Sequence, residues 1–205
     1  MYKNVIKPLL DRVVALCTLL LLLPFLLMLA VVIRVTMGSP VIFRQERPGR
    51  HGRPFVMWKF RSMTDARDES GNLLPDKDRM TWLGNFLRKT SLDELPELFN
   101  VLKGDMSLVG PRPLLMRYLP YYTETERSRH DVRPGITGLA QVNGRNTLGW
   151  DARLAMDVDY VQRCSFWLDV RIVCKTVGKV VAKKDVVAVD DNPLQDLDVE
   201  RKNNG

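Results

Sequence analysis

The chain has 205 residues, enough for one domain with a membrane element. A formal charge of +7 and a pI near 9.5 point to an anionic partner: nucleic acid, anionic lipid or a phosphorylated substrate. The three cysteines (Cys17, Cys164, Cys174) are scattered, odd in number and without a CxxC pair, which argues against a disulfide scaffold or a zinc site and fits a reducing compartment.

Residues 13–33 carry no charge. As a straight helix they cover roughly 30 Å, enough to cross a bilayer. No small-residue cleavage site follows, so a cleavable signal peptide fits poorly. Lys3, Lys7 and Arg12 precede the segment, and Arg34, Arg44, Arg47, Arg50 and Arg53 follow it. Positive charge marks the cytoplasmic side, and here both flanks carry it. Pro24 sits at the centre, where it bends a helix and frees a backbone carbonyl. These features favour a re-entrant helix that turns at Pro24 and leaves on the side it entered; a single span with a tolerated kink is the alternative.

Two β-prone runs, Val41–Arg44 and Phe55–Phe60, flank a Pro/Gly/Arg-rich turn and read as a hairpin, with Lys59 on its outgoing strand. Residues 64–80 are polar and read as a loop. Met80–Lys89 spaces Trp82, Leu83, Phe86 and Leu87 as a helix does and ends in Arg88-Lys89. That apolar face is either core or a surface lying in the membrane interface.

Next comes Ser91-Leu92-Asp93-Glu94-Leu95-Pro96, two adjacent carboxylates where a loop runs into a helix that closes at Gly104. A helix start offers free N–H groups and the positive end of the backbone dipole, so phosphate is welcome there. A carboxylate in that place can hold a divalent cation, or attack phosphorus once cations mask the charge. Ser91-x-x-Glu94 equally fits a capping box, with Glu94 bonding back to the first N–H. If Ser91 were the cap, however, Pro96 would fall beyond the first turn and remove a helical hydrogen bond.

In Gly110-Pro111-Arg112-Pro113 two prolines fix the backbone around Arg112, limiting the entropy lost when its guanidinium grips an anion. Tyr118–Arg129 reads as a polar helix or loop. The glycines of Pro134-Gly135-Ile136-Thr137-Gly138, followed by Gly144 and Arg145, suggest backbone that approaches a ligand closely. Trp150–Arg163 is an amphipathic helix with Asp157 and Asp159 near its middle. Phe166–Lys184 is another, striped by Phe166, Trp167, Val170, Val173, Val177 and Val181. The last twenty or so residues lack periodicity and read as a loose tail.

Taken together, these segments resemble the small monotopic phosphoglycosyl transferases, bacterial sugar transferases that begin lipid-linked glycan assembly, most closely the PglC-type enzymes of protein N-glycosylation. The likeness runs from the Pro24 segment through Lys59-Phe60-Arg61-Ser62-Met63, the Asp93-Glu94 motif, Gly110–Pro113 and Pro134–Gly138 to Asp157. Related proteins often carry Ser where this chain has Leu23.

The resemblance implies an α+β fold, mainly helical with a small β-hairpin, an N-terminal re-entrant membrane helix and interfacial amphipathic helices. Its divisions are a helix-break-helix over 1–36, a catalytic domain over 37–185 on the cytoplasmic face of the bacterial inner membrane, and a tail over 186–205. It also implies transfer of a phosphosugar from a UDP-sugar to undecaprenyl phosphate by a ping-pong route, with Mg²⁺ as cofactor and Asp93 as nucleophile and metal ligand. Glu94 then positions or deprotonates the acceptor phosphate, while Lys59, Arg88, Arg112, Arg145 and Asp157 contact substrate. Partners are membrane phospholipid and downstream glycosyltransferases, without nucleic acid. An N-acetylated or bacillosamine-type sugar follows by analogy. Rival readings are a membrane-anchored scaffold, a nucleic-acid binder, and a membrane-bound nucleotide-sugar hydrolase.

Overall fold

The computed structural model describes residues 1–144, 148–182 and 195–203. A π-helical turn, Tyr2–Ile6, leads into helix α1, Lys7–Met37, which runs through Pro24 without interruption. The helix-break-helix expected over 1–36 is therefore one helix with an internal proline. Proline in a helix costs on the order of 3 kcal/mol. Against this, Ala15, Leu19, Leu26, Leu29, Ile33 and Met37 recur on one face and are buried in the main core, where full burial of a large aliphatic side chain contributes about 1.5–3 kcal/mol.

Both ends of α1 are tied to the same folded body. Near its start, Asp169 accepts hydrogen bonds from Lys7 Nζ (2.7 Å), the Tyr2 hydroxyl (2.6 Å) and the Tyr160 hydroxyl (2.7 Å), and Ser107 donates to Asp11. At its end, the Thr81 hydroxyl meets Met37 Sδ at 3.7 Å. The boundary drawn at residue 36 is accordingly no boundary in packing. The outer face leaves Leu20, Leu21, Leu27, Val31 and Val35 exposed. Among the described residues, Tyr2–Met37 is the helical stretch long and apolar enough to cross a membrane.

Strands β1 (Ile42–Pro48) and β2 (Pro54–Phe60) form the expected antiparallel hairpin, with Phe43 opposite Lys59 and Arg47 opposite Phe55. Residues 64–80 are more ordered than a plain loop. Bridges join Met63 to Met80 and Arg67 to Leu73, and a short helix α2 spans Asp76–Arg79. Helix α3 (Trp82–Thr90) buries Leu83 and Leu87 and exposes Trp82 and Phe86, whose rings stack 6.2 Å apart. The core reading holds for the Leu83 and Leu87 side, while Trp82 and Phe86 face outward. The helix lies so close to the chain after β2 that a Cβ on Gly84 would collide with the Ser62 carbonyl.

Helix α4 (Glu97–Lys103) ends on Gly104 in the left-handed conformation (φ 88°), as its sequence implies. The fully buried Asn100 binds it to the hairpin, donating to the Val56 carbonyl and accepting from the Trp58 N–H. Strands β3 (Ser107–Val109) and β4 (Gly135–Thr137) pair in parallel. Here the glycine-rich stretch differs from expectation. Cβ atoms on Gly110, Gly135 or Gly138 would strike backbone of the facing segment, so these glycines admit backbone to backbone rather than backbone to ligand.

Short helices α5 (Glu124–Arg127) and α6 (Leu139–Val142) precede α7 (Trp150–Arg163) and α8 (Phe166–Ala182). On α8, Ile172 faces the core while Phe166, Trp167, Val170, Val173 and Val177 stay exposed; the Val181 side chain lies outside the described part. The tail also departs from expectation, because residues 197–203 form helix α9 (Leu197–Asn203), docked on the body. Leu197 is fully buried against Tyr118, Trp150 and Leu154, Trp150 Nε1 donates to the Gln195 carbonyl, and Arg201 pairs with Glu126 and Asp151.

Candidate active site

Asp93 and Glu94 lie on a 3₁₀ turn, Leu92–Glu94, between α3 and α4. Ser91 closes α3 in the left-handed conformation (φ 56°), and its side chain caps nothing. The capping box therefore does not form. Pro96 sits just before the first residue of α4, where its missing N–H is an orphan in any helix.

Glu94 Oε1 instead accepts hydrogen bonds from Lys59 Nζ (2.8 Å) on β2 and Arg112 Nη2 (2.7 Å) on the loop after β3. The same lysine lies 3.2 Å from Glu97 Oε1, out of line for a hydrogen bond. Asp93 is only 8 % exposed and accepts no hydrogen bond from a described residue.

This asymmetry separates the two carboxylates chemically. Burial, then the Glu94 charge, pushes Asp93 up to about 6 against the pull of Lys59, Arg112 and Arg88. Burial acts upward on Glu94 too, but Arg112 and Lys59 outweigh it and hold Glu94 well below the ordinary glutamate range. Glu97, pressed by burial and by Glu94, rises to about 7. A carboxylate held as tightly as Glu94 is a poor proton acceptor. Its place suits fixing Lys59 and Arg112 better than deprotonating a substrate.

Of the residues singled out in the sequence, Lys59, Arg88, Asp93, Glu94 and Arg112 converge here. Arg88 reaches in from the end of α3, with its Nε on the Ser62 hydroxyl (3.0 Å). Asp157, expected to contact substrate, lies behind the site. It is 2 % exposed and receives Arg129 through Nε (3.1 Å) and Nη2 (2.7 Å). The latter nitrogen also donates to the Arg112 carbonyl (2.7 Å), so the pair supports the Arg112 loop from beneath. Arg145 lies outside the described residues.

Sequence reasoning missed Glu97, Arg129 and Arg47. Glu97 resembles any acidic first-turn residue. Arg129 acquires meaning only through a partner 28 positions away.

Magnesium takes one or two protein carboxylates together with phosphate oxygens. A carboxylate that accepts no hydrogen bond from the described residues and is crowded by a second negative charge is a suitable donor, so Asp93 fits that ion. The described residues contain no cluster of three or more His, Cys, Asp or Glu able to form a metal cage without substrate.

A buried aspartate ringed by Lys59, Arg88 and Arg112, in a protein with a long apolar helix, is the arrangement on which comparison with known proteins bears. The family signature "bacterial sugar transferase" matches residues 2–183. The chain belongs to the bacterial sugar transferase family. It is 53 % identical over 182 residues to the Bacillus subtilis "uncharacterized sugar transferase EpsL", covering 89 % of this chain and 90 % of that one. It is 42 % identical over 195 residues to the UDP-glucose:undecaprenyl-phosphate glucose-1-phosphate transferase of Xanthomonas campestris, covering 89 % and 40 %. To the undecaprenyl-phosphate galactose phosphotransferase of Salmonella typhimurium it is 44 % identical over 165 residues, covering 72 % and 34 %. The transferase thus spans well under half the length of these last two relatives. Their names carry glucose and galactose, where the resemblance pointed to N-acetylated or bacillosamine-type sugars.

Proposed function

We propose that this transferase moves a hexose phosphate from a UDP-hexose to undecaprenyl phosphate by a ping-pong route through Asp93. The single observation that carries the proposal is the split between adjacent carboxylates: Glu94 bound to two cations, Asp93 accepting no hydrogen bond from a described residue. The names of the relatives supply the substrates.

An Asp93 carboxylate oxygen attacks the phosphorus that bears the sugar. The bond from that phosphorus to the bridging oxygen breaks, and UMP leaves with the electron pair. An oxygen of undecaprenyl phosphate then attacks the same phosphorus, giving undecaprenyl diphosphate hexose and returning Asp93 as a carboxylate. Lys59 and Arg112, oriented by Glu94, face the charge that shifts among phosphate oxygens, which is most of what phosphoryl-transfer catalysis requires. Mg²⁺, held by Asp93 and donor phosphate oxygens, would supply further charge neutralisation when bound.

The acceptor's phosphate lies at headgroup height while its tail stays in lipid. A chain seated in the cytoplasmic leaflet meets it without extracting the tail. That seating is supported by the exposed apolar face of α1, by the attachment of both α1 ends to one body, and by the exposed Trp82, Phe86 and Trp167.

The test is a panel of UDP-sugars, including UDP-glucose, UDP-galactose and N-acetylated sugars, assayed with Mg²⁺ for UMP release and lipid product, with and without undecaprenyl phosphate. The proposal expects a lipid-linked diphosphate sugar from a UDP-hexose. Sustained turnover to free sugar phosphate without acceptor would instead identify a hydrolase.

A further inference from the structure

Most cations at the site and beneath it have a committed partner. Lys59 and Arg112 are bound to Glu94, and Arg129 to Asp157. Arg47 differs. Its Nη2 donates to the neutral side-chain oxygen of Gln45 (2.6 Å), no described carboxylate forms an ion pair with it, and its Nε is buried without a hydrogen-bond partner. Burying part of a guanidinium with a donor unmet is costly unless an anion arrives.

Its placement is set by strand register. Phe43 faces Lys59, Gln45 faces Met57 and Arg47 faces Phe55, and cross-strand partners share a face, so Arg47 and Lys59 project from the same side of the hairpin. Burial and the neighbouring charge of Arg112 push Arg47 down to about 10, with Glu97, Tyr118 and Tyr122 acting in the other direction. Pro48, the next residue in the chain, lines one small cleft with Pro111, Arg112 and Pro113, which puts Arg47 and Arg112 at the same edge of the hairpin; two guanidiniums there, one without an ion pair to a described carboxylate, form a receptor for an anion with more than one charged group.

The hairpin also separates two approaches. Arg88, on the Ser62 hydroxyl, stands beyond the open end of the hairpin on the helix that exposes Trp82 and Phe86. Arg47 stands at the turn end, near Tyr118 and Tyr122. A phosphate arriving from lipid comes by the Arg88 side, which leaves the Arg47 side for the soluble donor. We propose that Arg47, beside Arg112, grips the diphosphate of the nucleotide-sugar donor and sets its affinity. This rests on the transferase reading above.

The test uses the full chain in lipid nanodiscs, as wild type, Arg47→Gln and Arg47→Lys, with UDP as the binding probe. Loss of one charge-assisted contact predicts UDP binding and donor KM weakened about tenfold or more in R47Q, with partial recovery in R47K. The acceptor KM stays unchanged and kcat changes by less than about threefold. UDP protection of wild-type Arg47 from phenylglyoxal, mapped by peptide mass, gives a second readout that does not depend on the R47Q fold. Equal UDP affinity in R47Q, a rise confined to the acceptor KM, or no protection of Arg47 would overturn the proposal. UDP binding that depends on Arg47 in a protein releasing no UMP would sink the transferase reading and leave this one standing.

Discussion

Replacing Asp157 with Asn separates a supporting role from a substrate contact. Asp157 and Arg129 have side chains 3 % and 1 % exposed, and both nitrogens of the contact reach the same oxygen. The change leaves the Arg129 guanidinium buried opposite a neutral amide. Breaking a buried pair by removing one partner costs about 3–5 kcal/mol. Asn keeps one acceptor, so the expected loss lies near the lower end of that range. Because Arg129 also holds the Arg112 carbonyl, the loosened loop lowers kcat from a position buried beneath the site. Thermal melts and UMP-release kinetics on the same preparations read both effects. The double variant Arg129→Met/Asp157→Leu, which removes the buried charge altogether, regains much of the stability without regaining kcat. An Asp157→Asn protein with an unchanged melting temperature and a raised donor KM would refute this and restore Asp157 as a substrate contact.

Four more outcomes follow from the site and the packing around it. Asp93 must be ionised to attack, so the donor half-reaction rises with pH through about 6 in the absence of Mg²⁺; Glu94→Gln, which removes the neighbouring negative charge, moves that midpoint down. The linked stability has the opposite sign, because a raised folded value contributes stability below the unfolded value near 3.9 and loses it as pH climbs through about 6. Asp93→Asn is therefore inactive yet melts higher than wild type at pH 8, by up to about 3 kcal/mol on that difference; a lower melt would contradict it. Leu197→Ala empties a fully buried site between α9 and the Tyr118–Trp150 cluster, costing about 2–4 kcal/mol in urea or thermal unfolding. Changing Trp82 and Trp167 to Ser removes two exposed aromatic anchors and weakens vesicle binding of the detergent-free protein, with the melting temperature unchanged.

Local patterning was enough for the hairpin, for α7 from Trp150 to Arg163, and for the Gly104 stop of α4. It also sufficed to bring Asp93, Glu94 and Arg112 under suspicion from their own motifs, while Lys59 and Arg88 took on their roles through the family resemblance. What stayed hidden depends on distant partners. Three-residue strands such as β3 and β4 carry no periodicity, and their pairing appears only when glycines let the two backbones meet. Helix α9 is held by one leucine and a few ion pairs, too little apolar pattern to announce a helix. Pro24 promised a break, yet the face of α1 buried on either side of it outweighs one lost hydrogen bond. The resemblance placed Asp157 at the substrate, and nothing near it in the chain names Arg129 as its partner.

Intact-protein mass spectrometry after mixing the transferase with UDP-hexose and Mg²⁺, without acceptor, bears most directly on the role of Asp93. The account predicts one added hexose phosphate per chain, mapped to Asp93, discharged by undecaprenyl phosphate and absent from Asp93→Asn. An unmodified Asp93 in a protein that turns over when both substrates are present would contradict it.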